Sequence, residues 1–397
     1  MVSTTPFLSV YVAWHPKFAI GEKIAEALHS HFRRNLLTNV AGGAGVSVIF
    51  RSTPIETLAT PLKIDFQDSA ATAVVVLVDE NLNNDPAWIQ YVDELAQNAE
   101  KFGLRARVFP VAMCENAYKT GKSVRELNFI RWDGWFGDSL EDKQRKLAFQ
   151  LTYQFCRMLR VYLTHLEHPD KNPDELTVYL ERVRIFISHS KHDDYGEKIS
   201  KKICDSISSE NDLDSFFDVT NIPPGVQFST VIGHNIKLSA VVAVHTDSFS
   251  SREWCRREVL TAKRHNVPFV VANCITDFEE RGFPYMGNVP VIRMEPEADH
   301  RISFVIARLM DEVLRAFLWK CRIHIARSSL PANIQFLPRA PELISLVTLL
   351  RDNKATPVDT VIYPDPPLGY EELDLFESLS SNLQLRSYTQ WLALQSL

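Results

Sequence analysis

Short apolar blocks recur along the chain, each followed by a stretch in which apolar residues return every three or four positions. Leu8-Ser-Val-Tyr-Val-Ala13 alternates as a strand does, and a helical pattern from about Gly21 to His31 follows it. Val46 to Phe50, Ala73 to Val78 and Arg107 to Val111 are further strand-like blocks. The same order begins again at Val183-Arg-Ile-Phe-Ile-Ser188, with a helix over about Gly196 to Ile207. Strands at Leu213 to Phe217, Ala240 to His245 and Val267 to Val271 then follow. Short Ile-Arg segments, Ile130-Arg131 and Ile292-Arg293, close the two series, and Gly21-Glu-Lys-Ile24 is repeated identically at Gly196-Glu-Lys-Ile199. Strands alternating with helices imply βαβ units and parallel sheets covered on both faces. The pattern predicts two α/β domains of one ancestry, fused in tandem.

An amphipathic helix over about Ser139 to His165 lies between them, its apolar face marked by Leu147, Leu151, Phe155, Met158, Leu159 and Leu163. His168-Pro-Asp-Lys-Asn-Pro-Asp174 ends it as a linker. A second long helix, Ile302 to Ile325, holds the comparable place after the second series. Beyond it the pattern predicts a small α/β appendage: strands at Ile334 to Leu337, Thr360 to Tyr363 and Leu383 to Tyr388, and helices at Ala340 to Leu350 and Tyr370 to Leu379. The expected domains are 1–165, a linker 166–180, 181–326 and the appendage 327–397.

Composition narrows the classes. With 43 Lys and Arg against 49 Asp and Glu, the net charge of −6 gives no bulk signal for nucleic acid or a membrane surface. The longest apolar run, Ala70 to Val78, is too short to span a bilayer, and residues 1–7 lack the pattern of a signal peptide. The six cysteines have no metal-ligand or disulfide-framework spacing, which argues against a zinc site and suits a reducing cytoplasm. Gly42-Gly43-Ala44-Gly45 precedes a strand, so it reads as a loop needing positive φ and not as a phosphate cradle. Cys255 has no identifiable His or Asp partner and reads as a small buried residue.

Three motifs of the second series carry a resemblance. Ile185-Phe-Ile-Ser-His-Ser190 with Lys191-His-Asp-Asp194 comes first. Phe216-Phe-Asp218 with Asn221-Ile-Pro-Pro-Gly225 comes second. Ser251 to Glu258, containing Trp254 and Glu258 four residues apart, comes third. In this order they resemble the first strand and loop, the second strand and BB loop, and the active-site helix of a bacterial-type TIR (Toll/interleukin-1 receptor) domain, over roughly residues 180–300. The fold this implies is a pair of tandem flavodoxin-like, TIR-like parallel-sheet domains with the appendage after them.

Catalytic members of that family cleave NAD to nicotinamide and a linear or cyclic ADP-ribose product, and their catalytic glutamate maps onto Glu258. Loss of nicotinamide leaves an oxocarbenium-like ribose, which a nearby carboxylate stabilises. NAD is thus a substrate and not a cofactor. Trp254 is expected to line the site as well as to pack. Phe217 and Asp218 end a strand at the sheet edge that binds ligands, and fit a packing residue and a turn cap equally well. The loop at His189, Ser190 and Lys191 lies at another such edge and departs from the Tyr-Arg common there. Pro223, Pro224 and Gly225 correspond to an assembly loop, which implies self-association through TIR domains. Arg252, Arg256, Arg257, Lys263 and Arg264 form a basic surface around this helix.

The first series fits less well. Counted from Trp88, the position matching Glu258 is Val92, with Asp93 and Glu94 turned away around the helix axis. It reads as a degenerate TIR-like domain. The resemblance as a whole implies a cytoplasmic effector of bacterial anti-phage defence, controlled by assembly and by an unidentified trigger. Two rivals stand beside this reading: a non-enzymatic TIR–TIR adaptor, and another N-glycosidase acting on nucleosides or nucleotides.

Overall fold

The structure, a computed structural model, describes residues 6–33, 44–54, 59–169, 175–209, 213–217, 236, 239–277, 282–295, 298–327, 330–331, 333–352, 358–378 and 383–395. The chain divides into two compact units, residues 3–179 and residues 180–397.

The first unit runs β1 (Leu8–Trp14), α1 (Gly21–Phe32), β2 (Ser47–Arg51), β3 (Ala71–Val78), α2 (Glu80–Asn83), α3 (Pro86–Lys101), β4 (Ala106–Ala112), α4 (Lys122–Arg125) and α5 (Leu140–Glu167). Its four strands are all parallel, in the order β2-β1-β3-β4. Every residue of β1 and β3 is buried, as strands covered on both faces require. Asp85 starts α3: its carboxylate accepts from the backbone N–H groups of Ala87 and Trp88, and Pro86 occupies the first turn. The apolar face expected of α5 is buried throughout. The closing segment at Ile130 makes an isolated parallel bridge to Val111. Gly45 has φ +72°, which accounts for a glycine before β2; Gly42 and Gly43 lie outside the described residues.

After α6 (Glu175–Leu180), the second unit runs β5 (Val183–Ser188), α7 (Asp194–Ser209), β6 (Leu213–Phe217), β7 (Ala240–His245), α8 (Glu253–Arg264), β8 (Phe269–Asn273), β9 (Val291–Arg293) and α9 (Ala298–Arg327). The five strands are parallel in the order β6-β5-β7-β8-β9. This is the flavodoxin-like order, in which a crevice opens at the carboxyl ends of the first and third strands, here β5 and β7. The two large sheets are tandem versions of one α/β design.

The last segment adds β10 (Ile334–Phe336), α10 (Leu343–Asp352), β11 (Thr360–Tyr363), α11 (Tyr370–Glu377), β12 (Gln384–Ser387) and α12 (Tyr388–Gln395). Its strands are parallel in the order β10-β11-β12. The expected strand Leu383 to Tyr388 stops at Ser387, and Tyr388 opens a helix. Tyr388 and Trp391 of that helix pack with Trp319 of α9 and Ile362 of β11 in one apolar cluster. The Trp319 indole also donates to the Leu337 carbonyl at 2.9 Å. Helix α9 thus serves both the five-stranded sheet and the appendage. Among the described residues no helix is long and apolar enough to cross a membrane.

Candidate functional site

Helix α8 buries Cys255, Glu258, Val259, Ala262 and Lys263, the i, i+3, i+4, i+7, i+8 stripe of an amphipathic helix. Two of those five inward positions are charged, and each has a built partner. The Ser188 hydroxyl donates to Glu258 Oε2 at 2.5 Å, and both residues are buried. Lys263 Nζ lies 2.6 Å from Glu342 Oε1 and donates to the Gly287 carbonyl at 2.8 Å.

Ser188 is the last residue of β5, in register with Ala243 of β7. The Ser188–Glu258 pair therefore sits at the carboxyl ends of the two strands where this topology binds ligands. The residues after Ser188 turn inward. His189 and Ser190 are buried, and the His189 carbonyl accepts from the Cys255 thiol at 3.5 Å. Ser248 Oγ lies 2.9 Å from Ser190 Oγ and 3.3 Å from Asp193 Oδ2. The other Asp193 oxygen accepts from the backbone N–H groups of Tyr195 and Gly196, which fixes the start of α7. This is a polar floor under one buried carboxylate.

The other expected site residues are distributed around it. Lys191 is exposed. Phe217 pairs in register with Ile187, which places it at the carboxyl end of β6, on the same sheet edge. Asp218 and the loop residues Pro223, Pro224 and Gly225 lie outside the described residues. Trp254 is 44% exposed, whereas Glu258 is 4% exposed. The helix begins at Glu253, so Trp254 belongs to its first turn, and helical side chains lean toward the amino terminus. Its ring lies under the Arg257 guanidinium, 5.0 Å from the centroid, and Arg257 pairs with Glu253 at 2.5 Å. Four-residue spacing puts Trp254 and Glu258 on one side of the helix but at different depths.

Ser188 ends the first strand, at the edge where the sequence places the loop His189 to Lys191, and Cys255 is the small buried residue expected; the contacts of Ser188 with Glu258 and of Ser248 with Ser190 were not expected. Ser188 carried a signal: a polar residue ending an otherwise apolar inward run. Near the same floor, burial pushes the Cys274 thiol up to about 12, and Asp193 adds to the rise.

In the first unit the equivalent place is occupied differently. The N-cap positions Asp85 and Arg252 stand at the same distance beyond the strand ends Val78 and His245. The buried stripe of α3 is Trp88, Tyr91, Val92, Leu95 and Ala96, with the spacing of Cys255, Glu258, Val259, Ala262 and Lys263. The residue in Glu258's place is therefore Tyr91 and not Val92. Trp88 corresponds to Cys255, because backbone spacing sets the match and the shared tryptophans do not. Tyr91 is buried, its hydroxyl donates to the Leu62 carbonyl at 3.2 Å, and burial pushes its pKa up to about 12. Asp93 accepts from the backbone N–H groups of Ser123 and Val124 and so caps α4, while Glu94 is partly exposed and accepts from Gln90. No carboxylate of α3 occupies the site position.

The TIR domain family model matches residues 185–300. No curated protein matches the chain. Two solved structures are similar at very low identity. One is a tagatose-6-phosphate ketose/aldose isomerase from Escherichia coli, 10% identical over 79% of this chain and 83% of that chain, with a TM-score of 0.20. The other is a putative tagatose-6-phosphate ketose/aldose isomerase from Clostridium novyi NT, 9% identical over 82% of this chain and 83% of that chain, with a TM-score of 0.19. Likenesses this weak carry no argument about either unit. The family match and the five-stranded order agree, and residues 185–300 are a TIR domain.

Proposed function

We propose that the second unit cleaves the nicotinamide–ribose bond of NAD, with Glu258 as the catalytic carboxylate. The observation that carries this is the buried Glu258 carboxylate, held by Ser188 at the crevice between β5 and β7 in a segment that matches the TIR domain family. As nicotinamide departs, positive charge grows on the ribose, and a fixed carboxylate in a site with little water stabilises it strongly. Nicotinamide leaves as a neutral base, so the departure needs no strong acid. Water, or an atom of the same nucleotide, completes the reaction and gives a linear or a cyclic product.

A carboxylate with 4% of its residue exposed meets substrate only after its cover moves. The resemblance gives that movement to the assembly loop at Pro223 to Gly225, and with it a dependence on self-association and a trigger. A role in bacterial defence, in the cytoplasm, belongs to the same reading. The first unit, with Tyr91 in the carboxylate's place, has a regulatory or assembly task and no NAD chemistry of its own.

The test is product analysis of the full-length protein with NAD and, separately, with nucleosides. NAD cleavage that falls about a hundredfold or more in Glu258→Gln supports the reading. Cleavage at the wild-type rate in that variant overturns the site. No cleavage of NAD at any protein concentration favours the adaptor, for which the tandem arrangement speaks, and nucleoside cleavage favours another N-glycosidase.

A further inference from the structure

The two units build one polypeptide frame with two different fillings. Ala13 of β1 is in register with Val76 of β3, and Ser188 of β5 is in register with Ala243 of β7. The repeat Gly21-Glu-Lys-Ile24 and Gly196-Glu-Lys-Ile199 follows each strand at the same spacing, so Ala13 and Ser188 are equivalent positions. Tyr91 and Glu258 are equivalent on the helices. The frame thus holds Ala13 with Tyr91 in one copy and Ser188 with Glu258 in the other, and all four residues are buried.

That comparison separates folding from function. The first unit builds the same sheet, helix and buried stripe without a carboxylate at this place. A buried carboxylate is costly to desolvate, and apolar replacements of buried polar pairs are often neutral or stabilising. The frame therefore does not require the Ser188–Glu258 pair. A hydroxyl donating to a carboxylate favours its ionised form and fixes its orientation.

We infer that Ser188 is a positioning residue for Glu258: it holds the buried carboxylate ionised and aimed into the β5–β7 crevice, and the fold does not need it. This rests on the reading of Glu258 as the catalytic carboxylate. Ser188 acts through Glu258 and needs no contact of its own with the substrate.

The experiment uses the full-length protein with Ser188→Ala, Ser188→Thr, Glu258→Gln and the double variant Ser188→Ala/Glu258→Met. The Glu258 carboxyl is titrated by carbon-13 NMR without substrate, its signal assigned by its absence in Glu258→Gln. Losing the donated hydrogen bond should raise the Glu258 pKa by about one unit or more, and Ser188→Thr should keep it near the wild-type value. In NAD cleavage, Ser188→Ala should lose about tenfold to a hundredfold in kcat/KM, and the acid limb of its pH profile should move to higher pH. The double variant should melt no lower than the wild type.

An unchanged Glu258 titration in Ser188→Ala overturns the inference whatever the activity. A double variant that melts well below the wild type overturns the claim that the frame is indifferent to the pair. Wild-type NAD cleavage by Glu258→Gln defeats the proposed function instead, and the titration still decides whether Ser188 sets the state of Glu258.

Discussion

The Lys263 ammonium of α8 and the Glu342 carboxylate of the appendage form a 2.6 Å ion pair, with the lysine side chain 3% exposed. Burial holds the Lys263 pKa below the usual lysine range, and Glu342 pulls it back up. Close by, the Arg339 guanidinium donates to the Val267 carbonyl just after the same helix, and its charge is felt by Glu312 and Glu342. The appendage is therefore fastened by charge to the helix that carries Glu258.

Removing the carboxylate leaves that ammonium buried without its counter-ion. Glu342→Ala should destabilise the second unit by about 3 kcal/mol, whereas Lys263→Met with Glu342→Leu should fold nearly as well as the wild type. Urea unfolding of the three proteins at pH 7 checks this. The sign of the pH effect follows from the lowered lysine pKa. Above the folded-state value the unfolded chain binds more protons, so stability rises with pH toward the unfolded value near 10.5. The deficit of Glu342→Ala should accordingly shrink as the buffer becomes alkaline.

Cys274 should act in the opposite direction. Its folded-state pKa near 12 lies above the ordinary value of 9.0, so its contribution is complete below pH 9 and is lost as pH rises from there toward 12. Within that window the thiol lowers stability by about 1.4 kcal/mol per pH unit. Tyr91 titrates with the same sign, so the comparison must be with Cys274→Ala, whose unfolding free energy should fall less steeply between pH 9 and 10.5. Equal slopes would place the thiol in contact with water.

The two equivalent glycines should tolerate a methyl group unequally. A Cβ on Gly21 would stand 2.2 Å from the Trp14 ring, and on Gly196 it would stand 3.2 Å from Thr246 Cγ2. Trp14 is buried at the end of β1 and has little room to retreat. Gly21→Ala should cost about 1–3 kcal/mol through overpacking. Gly196→Ala should change stability by less than about 1 kcal/mol, since a small shift of Thr246 is offset by the better helix propensity of alanine. Thermal melts of both variants decide it.

Placing a carboxylate in the first unit tests the correspondence of Tyr91 with Glu258. Tyr91→Glu should destabilise that unit by about 3 kcal/mol or more, because it removes a packed ring and buries a charge. Adding Ala13→Ser should recover part of the loss, while Val12→Ser, at a buried neighbour in the same strand, should recover none. Recovery is read as the coupling in a double-mutant cycle. No coupling between positions 13 and 91 would show that the two frames do not superpose as the strand register implies.

The sheets were legible because buried parallel strands are written as unbroken apolar blocks, as in Ala73 to Val78 and Ala240 to His245. The position of Glu258 was legible too, since a helix after the third strand delivers its inward stripe to the crevice. Depth was harder to read. Spacing placed Trp254 beside Glu258 but did not show that the helix starts at Glu253, leaving the ring in an open first turn. Matching tryptophans pointed to Val92, whereas counting from the strand ends gives Tyr91. The Lys263–Glu342 pair spans 79 positions, and no periodicity links a lysine on one helix to a glutamate that far along the chain. Helix α12 was missed because strand and helix adjoin at Ser387 and Tyr388 without a glycine or proline between them.

Helix α9 runs on beyond the segment that matches the TIR family, and its later turns carry Trp319 into the appendage's apolar cluster. A cut after Ala326, where the sequence suggests a natural boundary, would strand the Trp319 ring and the Lys263 ammonium at a raw surface. The inherited module and the mechanical one therefore have different ends. Gene fusions or exchanges that trade this TIR domain between proteins must carry residues 330–395 with it, or supply another cover for the same helix faces.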